Sequence, residues 1–202
     1  MKLGARCKTL LTILPAAMLV LGIAGCLSSD IPKLDPEDLA SPVGFAGSYF
    51  ATKFPEDTGN DPNTIDAIVE AAGDRSYTLT FVEGDHKDAP VAVRLLTLNS
   101  GNLLAVISDP DKGAAVYAIV TVASNGAWVF RLINLAPDKR TRGLRDALAR
   151  HGATAVKFDD SDMHNDEIRG SLTAANLRAL FSDPDFVNAL SMDQGFRLSP
   201  KS

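Results

Sequence analysis

Cysteine is nearly absent from this chain: Cys7 and Cys26 are the two in 202 residues. Small secreted domains held by disulfides need several cysteines spread along the sequence, so this fold has to rest on its hydrophobic core. Acidic charge is missing from the start, since no acid precedes Asp30, while Lys2, Arg6 and Lys8 make the first segment positive. Long apolar runs are missing too. Leu10 to Ile23 carries no charge, yet it falls short of the roughly 20 residues that a helix needs to cross the hydrocarbon layer. Catalytic markers are also scarce. No serine stands in a Gly-x-Ser-x-Gly elbow and no Ser-x-x-Lys occurs, which removes the usual signs of acyl-transfer enzymes. No glycine pair opens a helix at phosphate-loop spacing, so nucleotide-dependent chemistry has nothing to work with.

What is there begins with a leader. The positive start reads as the n-region of an export signal and Leu10 to Ile23 as its apolar h-region, too short for a permanent anchor. The stretch ends in Ile23-Ala24-Gly25-Cys26, which resembles the lipobox of bacterial lipoproteins: an aliphatic residue, two small ones, then cysteine. The resemblance covers the signal region alone. It implies that diacylglycerol alkylates the Cys26 thiol, that a dedicated peptidase cuts between Gly25 and Cys26, and that palmitate-like acyl chains hold the mature protein to a membrane. At about 0.8 kcal/mol per buried methylene, two or three chains make a lasting anchor. Neither Leu27 nor Ser28 is the aspartate that resembles an inner-membrane retention signal. The expected location is therefore the cell envelope, at the outer membrane facing the periplasm.

The chain divides into residues 1–25 as signal peptide, 26–42 as lipidated start and flexible tether, and 43–202 as one globular domain. The tether reading rests on Pro32, Pro36 and Pro42 among four acids, with no sustained periodicity. The formal charge of −5 becomes −8 once Lys2, Arg6 and Lys8 leave with the leader. Such a surface repels phosphate, so nucleic acid is not an expected partner, and the membrane, reached through the lipid, is the one partner implied.

Within the domain, a run from Gly44 to Lys53 reads as a first strand. Residues 66–71 and 76–82 read as a hairpin, with Tyr77, Leu79 and Phe81 on one face, and a short helix from Thr64 to Ala72 is the competing reading. Apolar runs at 91–98, 103–108 and 114–123 follow, separated by turn residues, and Ala127 to Ile133 alternates after Ser124-Asn125-Gly126. Short links make these strands antiparallel neighbours. Residues 115–122 are apolar on both faces, which predicts a strand covered on both sides. After Pro137 the period changes to that of a helix over 141–151, with further helical stretches at 174–181 and 185–190. The expected fold is α+β: a curved antiparallel meander of about six or seven strands, with C-terminal helices packed on it.

Candidate chemistry is thin, and no catalytic residue and no cofactor is assigned. Asp160-x-Asp162-x-His164-x-Asp166 resembles the start of a calcium loop, but Asn165 stands where glycine is needed and Ser171 where a bidentate glutamate is needed. A solvated acidic loop is the plainer reading. His86, His151 and His164 lie far apart and show no zinc spacing; His86 sits in a polar turn and His151 at a helix end. Aromatics recur on the strands at Tyr49, Phe50, Tyr77, Phe81, Tyr117, Trp128 and Phe130. They read as core, or else as the lining of an apolar pocket around Tyr77, Tyr117 and Trp128, as in lipocalins. The motifs weigh against an enzyme and toward a non-catalytic binding or structural module. A lipid carrier lidded by the C-terminal helices and a hydrolase using His164 with Asp160 and Asp162 stand as alternatives.

Overall fold

A computed structural model describes residues 26–54, 64–109, 113–136, 141–157, 167–170 and 172–201. Alternation of apolar and polar residues builds most of it. The strands are β1 (Ser28–Asp30), β2 (Leu39–Ala40), β3 (Gly47–Phe54), β4 (Ile65–Gly73), β5 (Ser76–Glu83), β6 (His86–Lys87), β7 (Val91–Thr97), β8 (Leu103–Asp109), β9 (Ala114–Val122), β10 (Trp128–Leu132) and β11 (Asn134–Leu135). After helix α1 (Arg142–Arg150) come β12 (Thr154–Lys157) and β13 (Glu167–Arg169), then α2 (Ala174–Leu180), α3 (Pro184–Val187), β14 (Leu190–Ser191) and β15 (Gly195–Pro200).

The expected α+β fold, a curved meander of about six or seven strands with C-terminal helices packed on it, is overturned. Strands β3, β4, β5, β7, β8, β9, β10 and β15 form a closed, wholly antiparallel barrel of eight strands, and the protein is mostly β. Closure depends on β15, which joins β10 on one side and β3 on the other. Phe196 and Leu198 of β15 point inward while Arg197 and Ser199 point out. Gly195 allows the approach, because a Cβ there would collide with the carbonyl of Phe130 and the ring of Phe54. A residue followed once round the ladder returns about twelve positions further along, a stagger that tilts the strands and widens the bore.

Two cores lie back to back across part of the wall. The inner one fills the barrel with one face of every wall strand, among them Tyr49, Tyr77, Phe81, Val93, Ala118, Trp128, Phe130 and Phe196. The outer one covers the other face of β7, β8 and β9. There Leu96, Leu104, Val106, Ala115 and Tyr117 meet Leu144, Ala147 and Leu148 of α1, Leu177 and Leu180 of α2, and Phe186 of α3. Strand β9 is thus covered on both sides, as its two apolar faces require. It also forks the sheet: residues 114–116 pair with β1, which leads to β13 and β12, while residues 118–122 pair with β10.

The helices start where side chains cap them. Thr141 accepts from the Leu144 amide, Thr173 and Asn176 form a reciprocal box, and Asp183 accepts from the Asp185 amide ahead of Pro184. The segment read as a tether is part of the body. Leu27, Leu34 and Leu39 are buried in the outer core, β1 pairs with β9 and β13, and β2 pairs with β7. Three apolar side chains at about 1.5–3 kcal/mol each outweigh the prolines that suggested a spacer.

Candidate functional site

The one strong sequence signal falls where the packed body begins. Cys26 lies antiparallel to Asn134, and the Leu27 amide donates to the Ile133 carbonyl at 2.7 Å. The Cys26 thiol is buried, and burial pushes it up to about 12. A thiol in that setting keeps its proton at neutral pH and is no nucleophile. Gly25 lies outside the described residues.

Behind Cys26 a buried polar knot fixes the strap to the wall. The hydroxyls of Ser29 and Tyr117 lie 2.6 Å apart, and the Tyr117 phenol is raised, first of all by burial. Arg94, lowered by its own burial, donates to the Pro32 carbonyl at 3.3 Å. Further along, Arg178 of α2 holds Asp38 at 2.9 Å and the Thr97 carbonyl at 3.1 Å. These bonds satisfy buried polar groups and tie the strap to the barrel's outside.

The three residues read as a pocket are not brought together. Tyr117 faces the outer core, 6.4 Å from the Phe181 ring, whereas Tyr77 and Trp128 face the bore. Between these two stands Phe45, from the loop before β3. Its ring centroid is 4.7 Å from Tyr77, 4.9 Å from Trp128 and 6.1 Å from Phe130. At the other end Phe130 stacks on Phe196 at 4.6 Å, and Phe81 meets Phe196 edge-on at 5.8 Å. The run read as a first strand from Gly44 included Phe45, but the strand starts at Gly47 and Phe45 lies in the loop before it, where strand alternation does not predict burial.

The weak metal candidates Asp160, Asp162, His164 and Asp166 lie outside the described residues. Among the described residues no group of three His, Cys, Asp or Glu could hold a metal ion. Sequence reasoning missed one charged cluster, which folding assembles from two helix ends. Asp183 takes Arg150 at 2.8 Å and His151 at 2.9 Å, and Arg150 also reaches Asp185 at 3.1 Å. The Arg150 bond, with help from His151, brings the nearly buried Asp183 carboxyl down to about 2. This network clamps α1 to α3. His86 contacts Asp88 at 3.2 Å.

No family model matches the chain, and no curated protein or solved structure matches it.

Proposed function

We propose that this chain is a lipid-anchored protein of the bacterial cell envelope, held by acyl chains on Cys26, whose barrel is a non-catalytic binding or structural module. The anchor rests on the leader of Lys2, Arg6 and Lys8, the apolar stretch to Ile23, and the lipobox-like Ile23-Ala24-Gly25-Cys26. The observation that carries the module reading is the interior. Every wall strand turns apolar side chains inward, and these meet one another across the bore. A carrier lidded by the C-terminal helices is disfavoured, because α1, α2 and α3 pack on the outside of the wall.

The geometry adds an order of events. Cys26 is buried beside the docked Leu27, and burial keeps its thiol protonated, so on this reading lipid is attached before Leu27 docks. Because Leu27 is fully buried, the anchored barrel has no spacer and rests against the bilayer.

Metabolic labelling with an alkyne analogue of palmitate tests this reading. The wild-type chain is expected to take up label, lose its leader and float with outer-membrane fractions, while Cys26→Ala takes up none and keeps residues 1–25. Absence of label on the wild type, or label persisting on Cys26→Ala, ends the reading.

A further inference from the structure

We propose that the barrel is a closed cup holding a latent binding site for a single-chain fatty acid, and that the loop of residues 41–46 is its lid, with Phe45 standing in for the acyl tail. The placement of Phe45 carries this. Tyr77 on β5 and Trp128 on β10 stand halfway round the ring from each other. Phe45 touches both, so its ring occupies the axis of the bore rather than a niche in the wall. A barrel of eight strands with this stagger is wide enough to hold a small ligand, and here the space at one end is filled from outside the wall.

The two ends are built differently. Phe81, Phe130 and Phe196, all borne on wall strands, form a floor that cannot leave without breaking the ladder. The lid is attached more lightly. Among the described residues, 41–46 pair with no strand. Val43 is fully exposed, and Gly44 takes a left-handed φ of 78°, which frees the loop's turn from side-chain constraint. Its attachments are side-chain bonds. The Tyr49 hydroxyl lies 2.7 Å from the Gly44 carbonyl and 2.8 Å from the Phe45 carbonyl, donating toward both, and Ser41 meets the Tyr77 hydroxyl at 3.1 Å.

Those bonds also define the ligand. With the lid swung out, the single Tyr49 hydroxyl proton loses its carbonyl acceptors at the mouth, while Trp128 still hydrogen-bonds the same oxygen. A carboxylate or carbonyl oxygen replaces them, while an apolar tail replaces the Phe45 ring among Tyr77, Trp128 and Phe130. The bore below is lined by hydrocarbon and aromatic side chains, so the polar head belongs at the mouth. The Phe45 ring that the tail replaces lies 4.7 Å from Tyr77 and 4.9 Å from Trp128, so the space it vacates is one ring wide and suits one chain rather than a two-chain phospholipid.

Trp128 is the only tryptophan and serves as donor for the fluorescent fatty acid cis-parinaric acid, added to the chain from Cys26 onward. The wild type is expected to show saturable energy transfer. Phe45→Ala should tighten apparent binding by at least about tenfold, the factor by which a lid closed nine-tenths of the time weakens it. Phe181→Ala, an outer-core change, should leave affinity unaltered. The inference falls if the wild type gives no saturable transfer, or if a folded Phe45→Ala binds no better. Where Phe45→Ala does not fold, hydrogen exchange decides on the wild type: the probe should speed exchange at residues 43–46, and unchanged exchange overturns the lid. The inference deepens the binding-module reading and rests on it. Failed labelling at Cys26 would leave this titration intact, and an empty titration would leave the anchor standing.

Discussion

The inner and outer cores share a wall but are assembled in opposite ways. Inside the barrel, almost every contributor lies on a strand, and each strand but β15 sits next to its neighbour in sequence. Outside, Leu27, Leu39, Tyr117, Leu148, Ile168 and Phe186 converge from segments spread between residues 27 and 186. A period of two along short-linked strands specifies the first kind of core locally. The second exists only when a strap, a barrel wall and three helices have found one another. Local patterning therefore makes the barrel the foundation and the outer core the addition.

Substitutions can break that comparison, and the largest effect is expected inside. Phe130→Ala removes a ring that stacks on Phe196 and touches Phe45, and should cost about 3–5 kcal/mol. In urea, Trp128 fluorescence and the helical circular dichroism signal should then be lost together, at a lower midpoint. Leu148→Ala, fully buried under α1, should cost about 2–4 kcal/mol. Here the helical signal is expected to go first, with Trp128 still in its native environment. Simultaneous loss in this variant would erase the distinction between foundation and addition.

Smaller effects sharpen it. The Asp183 carboxyl lies at about 2 in the fold against an ordinary 3.8. Its contribution is therefore present above the ordinary value and disappears as pH falls toward 2. Asp183→Asn should cost about 1–2 kcal/mol at neutral pH and flatten the acid limb of a stability–pH profile; an unchanged limb would show that the α1–α3 clamp contributes nothing. Tyr117→Phe, which parts Ser29 from its partner, should cost about 1 kcal/mol, seen as faster proteolysis of residues 26–40 with the barrel intact.

Particular residues explain what was legible. The alternation of Tyr77, Leu79 and Phe81 and the turn at Asp74–Arg75, both with positive φ, marked the β4–β5 hairpin. The two-faced apolar run of β9 marked a strand with cores on either side. Closure escaped because β15 is short, terminal and far in sequence from both its partners, although Phe196 and Leu198 do alternate with Arg197 and Ser199. The strap escaped for another reason: Leu27, Leu34 and Leu39 share no regular period, so their burial depends wholly on surfaces that other segments supply.

Of the candidate site, the lipobox-like Ile23-Ala24-Gly25-Cys26 was legible because it is a run of adjacent residues. The Tyr77 and Trp128 faces were legible through strand period. Phe45 between them was not, and neither was the turning of Tyr117 to the other side of the wall. By itself, then, the sequence determined the strands with their two faces, since these follow from neighbours along the chain. Only the tertiary structure decided that the sheet closes, that the strap belongs to the body and that a loop phenylalanine fills the bore. Those outcomes turn on distant residues meeting, and the free energy of such contacts is set by shape and burial rather than by spacing.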